Sequence, residues 1–249
     1  MQPRLLIIAC GALARELLAI TELNGLTNVT VECLPASLHN RPKEIPELVR
    51  ARIRRARCQV PPDTMWRPDR DRDQNTTDLI DTDLLDTEVR VVDAEPCSNN
   101  SQFDEILIGY ADCGTGGLLE KVCAEEGVEM LAGAHCYQFF ATHDRFEELQ
   151  DHALGSFYLT DFLARNWERL IWEGMGIAKH PELRDMYFGN YTRCVYLEQS
   201  NDPKALAAAH QCADRLELEL HIEPTGYGEL ETAVVEFTQR VTLTRGDQA

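Results

Sequence analysis

The chain has no long hydrophobic run. The first apolar stretch, Leu5 to Ala9, is five residues, and a bilayer span needs ~20. It is followed at once by Cys10-Gly11 and then by Arg15-Glu16, which breaks any secretory h-region. Positive charge is also scarce, with 24 Lys and Arg against 42 Asp and Glu, a formal balance of −18. That argues against nucleic acid as a partner, which requires a basic footprint, and against docking on an anionic membrane. The phosphate-binding signatures GxGxxG and GxxxxGK[ST] are both missing, as is any CxxC pair.

What is present suits one α/β domain over residues 1–249, with 44% hydrophobic and 27% charged residues. One basic strip stands out, Arg50 to Arg57 (Arg-Ala-Arg-Ile-Arg-Arg-Ala-Arg). It reads as the end of a helix, where cations meet the negative end of the macrodipole. Nine cysteines are many for 249 residues. Without a secretion signal the cytoplasm is expected, with reduced thiols.

The apolar run from Arg4 to Ala9 predicts a buried strand, and Ala12 to Leu23 a helix. Val29 to Leu34 predicts a second strand, and Pro46 to Arg57 a helix with Pro in its first turn. Gln59 to Gln102 is different in texture: eleven acidic residues against four Arg contribute −7. It is expected to be an acidic, mostly mobile insertion. Its Asp69-Arg-Asp-Arg-Asp73 run lacks the Gly and terminal Glu of a calcium loop.

Beyond it, Phe103 to Tyr110 predicts a strand, Ala111 to Gly117 a Gly-rich turn, and Leu118 to Glu126 a helix. Glu129 to Ala132 predicts a short strand running to Gly133-Ala-His135-Cys136, and Tyr137 to Thr142 begins a helix. Phe157 to Gly189 reads as helical and aromatic-rich, with Trp167 and Trp172 as core. Thr192–Leu197, Pro203–Leu216, Glu219–Ile222 and Glu229–Arg240 complete a strand–helix–strand–helix order. Repeated strand–turn–helix units imply a mostly parallel, Rossmann-like three-layer α/β sheet.

Cys10, Cys113 and Cys136 each lie just past a predicted strand and open a turn. Ligands of open parallel sheets bind outside the carboxyl ends of the strands, so three thiols are expected on one rim. A helix N-terminus favours the thiolate, the form that ligates metal. Gly11, Gly114, Thr115, Gly116 and Gly117 are candidate cofactor-binding residues, because glycine amides approach an anion closely. His135 and His39 are the nearest imidazoles. Cys33, Cys58, Cys97, Cys123, Cys194 and Cys212 are read as packing or incidental residues.

At these same residues the chain resembles the domain of unknown function 1638 family of bacteria and methanogenic archaea. The carrying segments are Ile8-Ala-Cys10-Gly11, Ile108-Gly-Tyr110-Ala-Asp-Cys113-Gly114, Ala134-His135-Cys136 and Gly155-Ser-Phe-Tyr158-Leu-Thr160. The family tends to show an Asp between the His and the Cys, which this chain lacks. The resemblance implies a neighbourhood of corrinoid-dependent methyl transfer, and so possible corrinoid methyltransferase partners in one-carbon metabolism.

Three functions compete. One is a metal protein, enzyme or accessory factor, holding an iron–sulfur cluster or zinc on Cys10, Cys113, Cys136 and His135. The second is a metal-free α/β enzyme taking a small-molecule substrate or nucleotide at Gly114–Gly117. The third is a non-catalytic partner protein. Spacing alone does not choose among them.

Overall fold

In a computed structural model of the chain, residues 2–57 and 103–246 are described. The expected acidic insertion, together with Cys58 and Cys97, lies outside them. The elements run β1 (Leu5–Cys10), α1 (Ala14–Leu23), β2 (Val29–Leu34), α2 (Ile45–Ala56), β3 (Glu105–Gly109), α3 (Leu118–Glu126), β4 (Glu129–Met130) and α4 (His143–His152). Next come β5 (Ser156–Leu159), α5 (Asp161–Arg165), a π-helical stretch (Glu168–Glu173), α6 (Leu183–Phe188), β6 (Arg193–Glu198), α7 (Pro203–Leu216), β7 (Glu219–Pro224) and α8 (Gly228–Gly246). Every strand pairing is parallel, as the alternation of strands and helices predicts. Among the described residues no helix is long and apolar enough to cross a membrane.

The strands form two sheets, in the orders β2-β1-β3-β4 and β5-β6-β7. The chain divides accordingly into two compact units, Met1–His135 with Val234–Ala249, and Cys136–Ala233. The single-domain reading did not separate them, because a βα repeat has the same local pattern whichever sheet its strand joins.

In the first unit β1 is central and all six of its residues are buried. A strand covered on both faces needs a continuous apolar run, and Leu-Leu-Ile-Ile-Ala-Cys supplies one. Gly109 pairs with Ala9, and a Cβ at Gly109 would stand 2.8 Å from the Ala9 Cβ, so only glycine fits. Helix α2 buries Ile45, Val49 and Ile53, four residues apart on one face, and packs against α3. The basic strip finds its partner there. Arg54 Nε donates to Glu126 at 2.9 Å, Arg50 Nη1 at 3.3 Å, and Arg57 to the Glu126 carbonyl at 2.6 Å. These arginines are consumed by the α2–α3 contact.

The second unit shows strand alternation directly. Cys194 and Tyr196 of β6 join one core with Trp167, Ile171 and the α7 residues Ala205, Ala209 and Cys212. Val195 and Leu197 join another core with Phe146 and Leu149 of α4. Period-two side chains thus serve both faces of one strand. Ser156–Leu159 is a strand, where the sequence reading has helix from Phe157 onward. Four residues carry too little periodicity, and the aromatics beside them fit a helix face as well as a pleat. The expected helix from Tyr137 is a 3-10 turn, Cys136–Phe140, and α4 starts only at His143.

Asp161 anchors the second sheet's carboxyl side. It is 1% exposed and accepts the Tyr196 hydroxyl at 2.6 Å and the Gln199 and Ser200 N–H groups at 3.1 Å each. Arg165 stands 3.8 Å away.

Candidate functional site

The candidate residues of the first unit gather at the carboxyl ends of the first sheet's strands. Cys10 is the last residue of β1. Tyr110 to Gly117 leaves β3, and the segment from Leu131 to His135 leaves β4. His39 lies in the 3-10 turn Ala36–Asn40 after β2.

Backbone contacts draw these loops together. Asp112 N–H donates to the Gly133 carbonyl at 3.0 Å and Cys113 N–H to the Ala134 carbonyl at 2.9 Å. The β3 and β4 loops therefore run side by side, with Asp112 beside His135. The β2 loop reaches the β3 loop through Pro42, 3.6 Å from where a Gly114 Cβ would be. Gly11 lies against Leu34 and Ala36 more closely still: a Cβ there would meet the Leu34 carbonyl at 3.0 Å.

Cys113, Gly114, Gly116 and Gly117 all have left-handed φ, from +48° to +82°. This curls their amides inward around the Asp112 side chain. Asp112 Oδ1 accepts Gly117 N–H at 2.7 Å and the Thr115 hydroxyl at 2.8 Å, and Oδ2 accepts Gly116 N–H at 3.2 Å. The Gly117 amide leads in holding the Asp112 carboxyl below its ordinary range, helped by Thr115, Gly116 and Gly114. The amides that would cradle a ligand's phosphate are engaged by a carboxylate of the chain itself. Thr115 is 4% exposed and used within the loop.

Burial pushes the Cys10 thiol up to about 11, aided by the charge of Cys113 and opposed by the Ala12 N–H and the Tyr110 hydroxyl. The sequence expectation of a lowered value at a helix start is thus reversed at Cys10, where desolvation outweighs the dipole. Burial lowers His39 below its ordinary value, and the nearby His135 lowers it further. Burial likewise lowers His135, while Asp112 opposes. Both shifts favour the neutral imidazole. Cys33, pushed up to about 12 by burial and by Cys10, lies on the neighbouring strand.

Cys10, Cys113 and His135 belong to the first unit, whereas Cys136 opens the second and sits in a 3-10 turn, six residues past β4. Among the described residues no group of three or more His, Cys, Asp or Glu stands ready to hold a metal ion. The residues as arranged do not form a ready-made zinc or cluster site. Tyr110 and Asp112 were missed as site residues by sequence reasoning. The signal for Asp112 was its place before a run of glycines, where a carboxylate closes the turn on itself.

The fold is that of a parallel α/β protein, with the loops at the carboxyl ends of its first sheet held side by side. Residues 81–234, more than half of the chain, match the family described as protein of unknown function (DUF1638), and the chain belongs to that family. The matched span holds Tyr110 to Gly117, His135 and Cys136, while Cys10 and His39 precede it. No curated protein and no solved structure gives a significant match.

Proposed function

We propose that the protein binds a small molecule at the carboxyl rim of its first sheet and exchanges a proton with it through His39 and His135. One observation carries the reading. Side chains from four separate strand ends lie close enough there to act on one another electrostatically, Cys10 with Cys113 and His39 with His135. A neutral imidazole can take a proton as a general base near pH 7. The ligand class is uncharged or cationic, since Asp112 already fills the glycine loop and would repel a phosphate. A panel of small metabolites, screened by thermal shift on the wild type and on His39→Gln and His135→Gln, tests this. A binder whose stabilisation is lost in both variants supports it. Binders indifferent to both would place the working site elsewhere.

A second reading keeps the rim and fills it with zinc or an iron–sulfur cluster on Cys10, Cys113 and His135, the members of the expected ligand set that share the first unit. The electrostatic influence of Cys113 on Cys10 favours it, and the rim would have to close on the ion. Metal analysis and a visible spectrum of protein purified without oxygen separate the two. About four irons with broad absorption, or one zinc, would support the metal. Metal-free protein that still binds its ligand would support the first reading. Under either, a place in corrinoid-linked methyl metabolism is a proposal that the family resemblance suggests, tested by co-purification with corrinoid methyltransferase proteins.

A further inference from the structure

β7 ends the second unit's sheet, in the order β5-β6-β7, and among the described residues no strand pairs with its outer side. The edge strands β2 and β5 are half-buried or buried along their length, whereas Glu219, His221, Ile222 and Pro224 of β7 are exposed. Ile222 is 38% exposed, although Leu220 on the same face packs against the core. One bond sets the backbone direction: Thr225 N–H donates inward to the Glu198 carbonyl of β6 at 2.9 Å. N–H and C=O directions alternate along a strand, so Leu220, Ile222 and Pro224 present theirs outward. Pro224, which has no N–H to offer, has its nitrogen on that open side, the placement proline requires. On the other face Arg145 grips the Glu223 carboxylate at 2.8 Å through both Nε and Nη2, and His221 stands 3.4 Å from it.

We propose that β7 pairs antiparallel with β7 of a second copy of the chain, Ile222 opposite Ile222, so that the sheet runs on across a two-fold axis. Such an axis sets one residue opposite its own copy, and the side chains of β7 select which. Centred on Glu223, like carboxylates meet. Centred on His221, Glu219 meets Glu223 of the second copy on both sides of the axis, and like charges directly opposite repel. Centred on Leu220, only Glu219 to His221 overlap within the strands. Centred on Ile222, His221 faces Glu223 of the second copy on both sides, imidazole against carboxylate. Those two pairs are of the closer, non-hydrogen-bonded kind, with Cα atoms ~4.5 Å apart. Ile222 exchanges its outward backbone bonds with its own copy, and the two exposed side chains cover one another. Leu220 N–H reaches the Pro224 carbonyl of the second copy. The pairing closes an edge whose outward N–H and C=O groups a lone sheet leaves to water. It lies wholly in the second unit and is independent of what the first sheet's rim does.

Analytical ultracentrifugation of the full chain over a range of concentrations tests this. The mass should rise toward that of two chains. Ile222→Lys, at an exposed position, should hold it at one chain with an unchanged thermal midpoint. In a second measurement, Ile222→Cys should join to its own copy through a short thiol cross-linker, with the joined peptides mapped by mass spectrometry against the wild type. Glu219→Cys should not, because its two copies would stand ~20 Å apart in this register. A mass of one chain throughout would overturn the proposal and leave the edge to a strand of some other protein. A dimer indifferent to Ile222→Lys, or one in which position 222 fails to join its copy, would overturn it as well. The cross-link map decides this even if Ile222→Lys fails to fold.

Discussion

The Asp112 carboxylate accepts the Gly117 N–H at 2.7 Å, so the Gly-rich loop is held from within. Asp112→Ala removes the acceptor of two amides and one hydroxyl. It is expected to cost about 1–3 kcal/mol and to speed hydrogen exchange at Gly116 and Gly117 well before it affects β1. Because the folded carboxyl lies below its ordinary value, its contribution is present above the unfolded pKa of ~3.9 and is lost as pH falls through the folded value. Exchange at these two amides unchanged by the substitution would sink the assignment.

The rim histidines give stability a signature of the same sign at higher pH. His39 takes its proton at lower pH when folded than when unfolded. Below the unfolded value of ~6.5 the unfolded chain therefore binds more protons, and stability falls as pH falls toward the folded value. Thermal midpoints of the wild type should decline from pH 7 to pH 5, and His39→Gln should flatten that decline. Parallel curves for the two proteins would contradict it.

Glu126 serves three arginines, and its side chain is 8% exposed. Glu126→Ala leaves those guanidinium groups facing one another with Glu125 as a remaining partner of Arg50. A loss of roughly 2–3 kcal/mol in urea unfolding is expected, and Glu126→Gln should recover part of it. A loss under ~0.5 kcal/mol would mark the cluster as a solvent-screened surface array.

Asp161 receives four groups in the second unit, including the Tyr196 hydroxyl. Asp161→Ala strands buried donors around an apolar hole, an expected cost of about 3–5 kcal/mol. The Tyr196 phenol, raised by burial and then by this carboxylate, should become easier to ionise. Spectroscopic titration of Tyr196 in the milder Asp161→Asn variant checks that shift.

Much of this fold was readable where a strand is buried on both faces or a helix is long and capped. Leu5–Cys10 and Pro203–Leu216 announce themselves through a continuous apolar run and through Asp202-Pro203 before an Ala-rich stretch. Ser156–Leu159 did not, because its identity comes from pairing with Arg193–Tyr196, a contact between residues far apart in sequence. The rim shows the same division. Cys10, Cys113, His39 and His135 were visible as residue types at strand ends. Desolvation of Cys10 was not, since it depends on what packs above β1. Nor was the closing of the glycine loop, which depends on where Asp112 points.

The chain leaves the first unit at His135 and re-enters it at Val234, where the buried Val234, Phe237 and Val241 follow and Arg240 pairs with Glu129 at 2.5 Å. During synthesis the second unit is therefore complete before the ribosome has supplied the first with its closing helix. Until then the first unit waits with part of its apolar surface in water, while its neighbour can already fold. A released chain ending at Ala233 should accordingly resist protease across Cys136–Ala233 while its amino-terminal half is still cut.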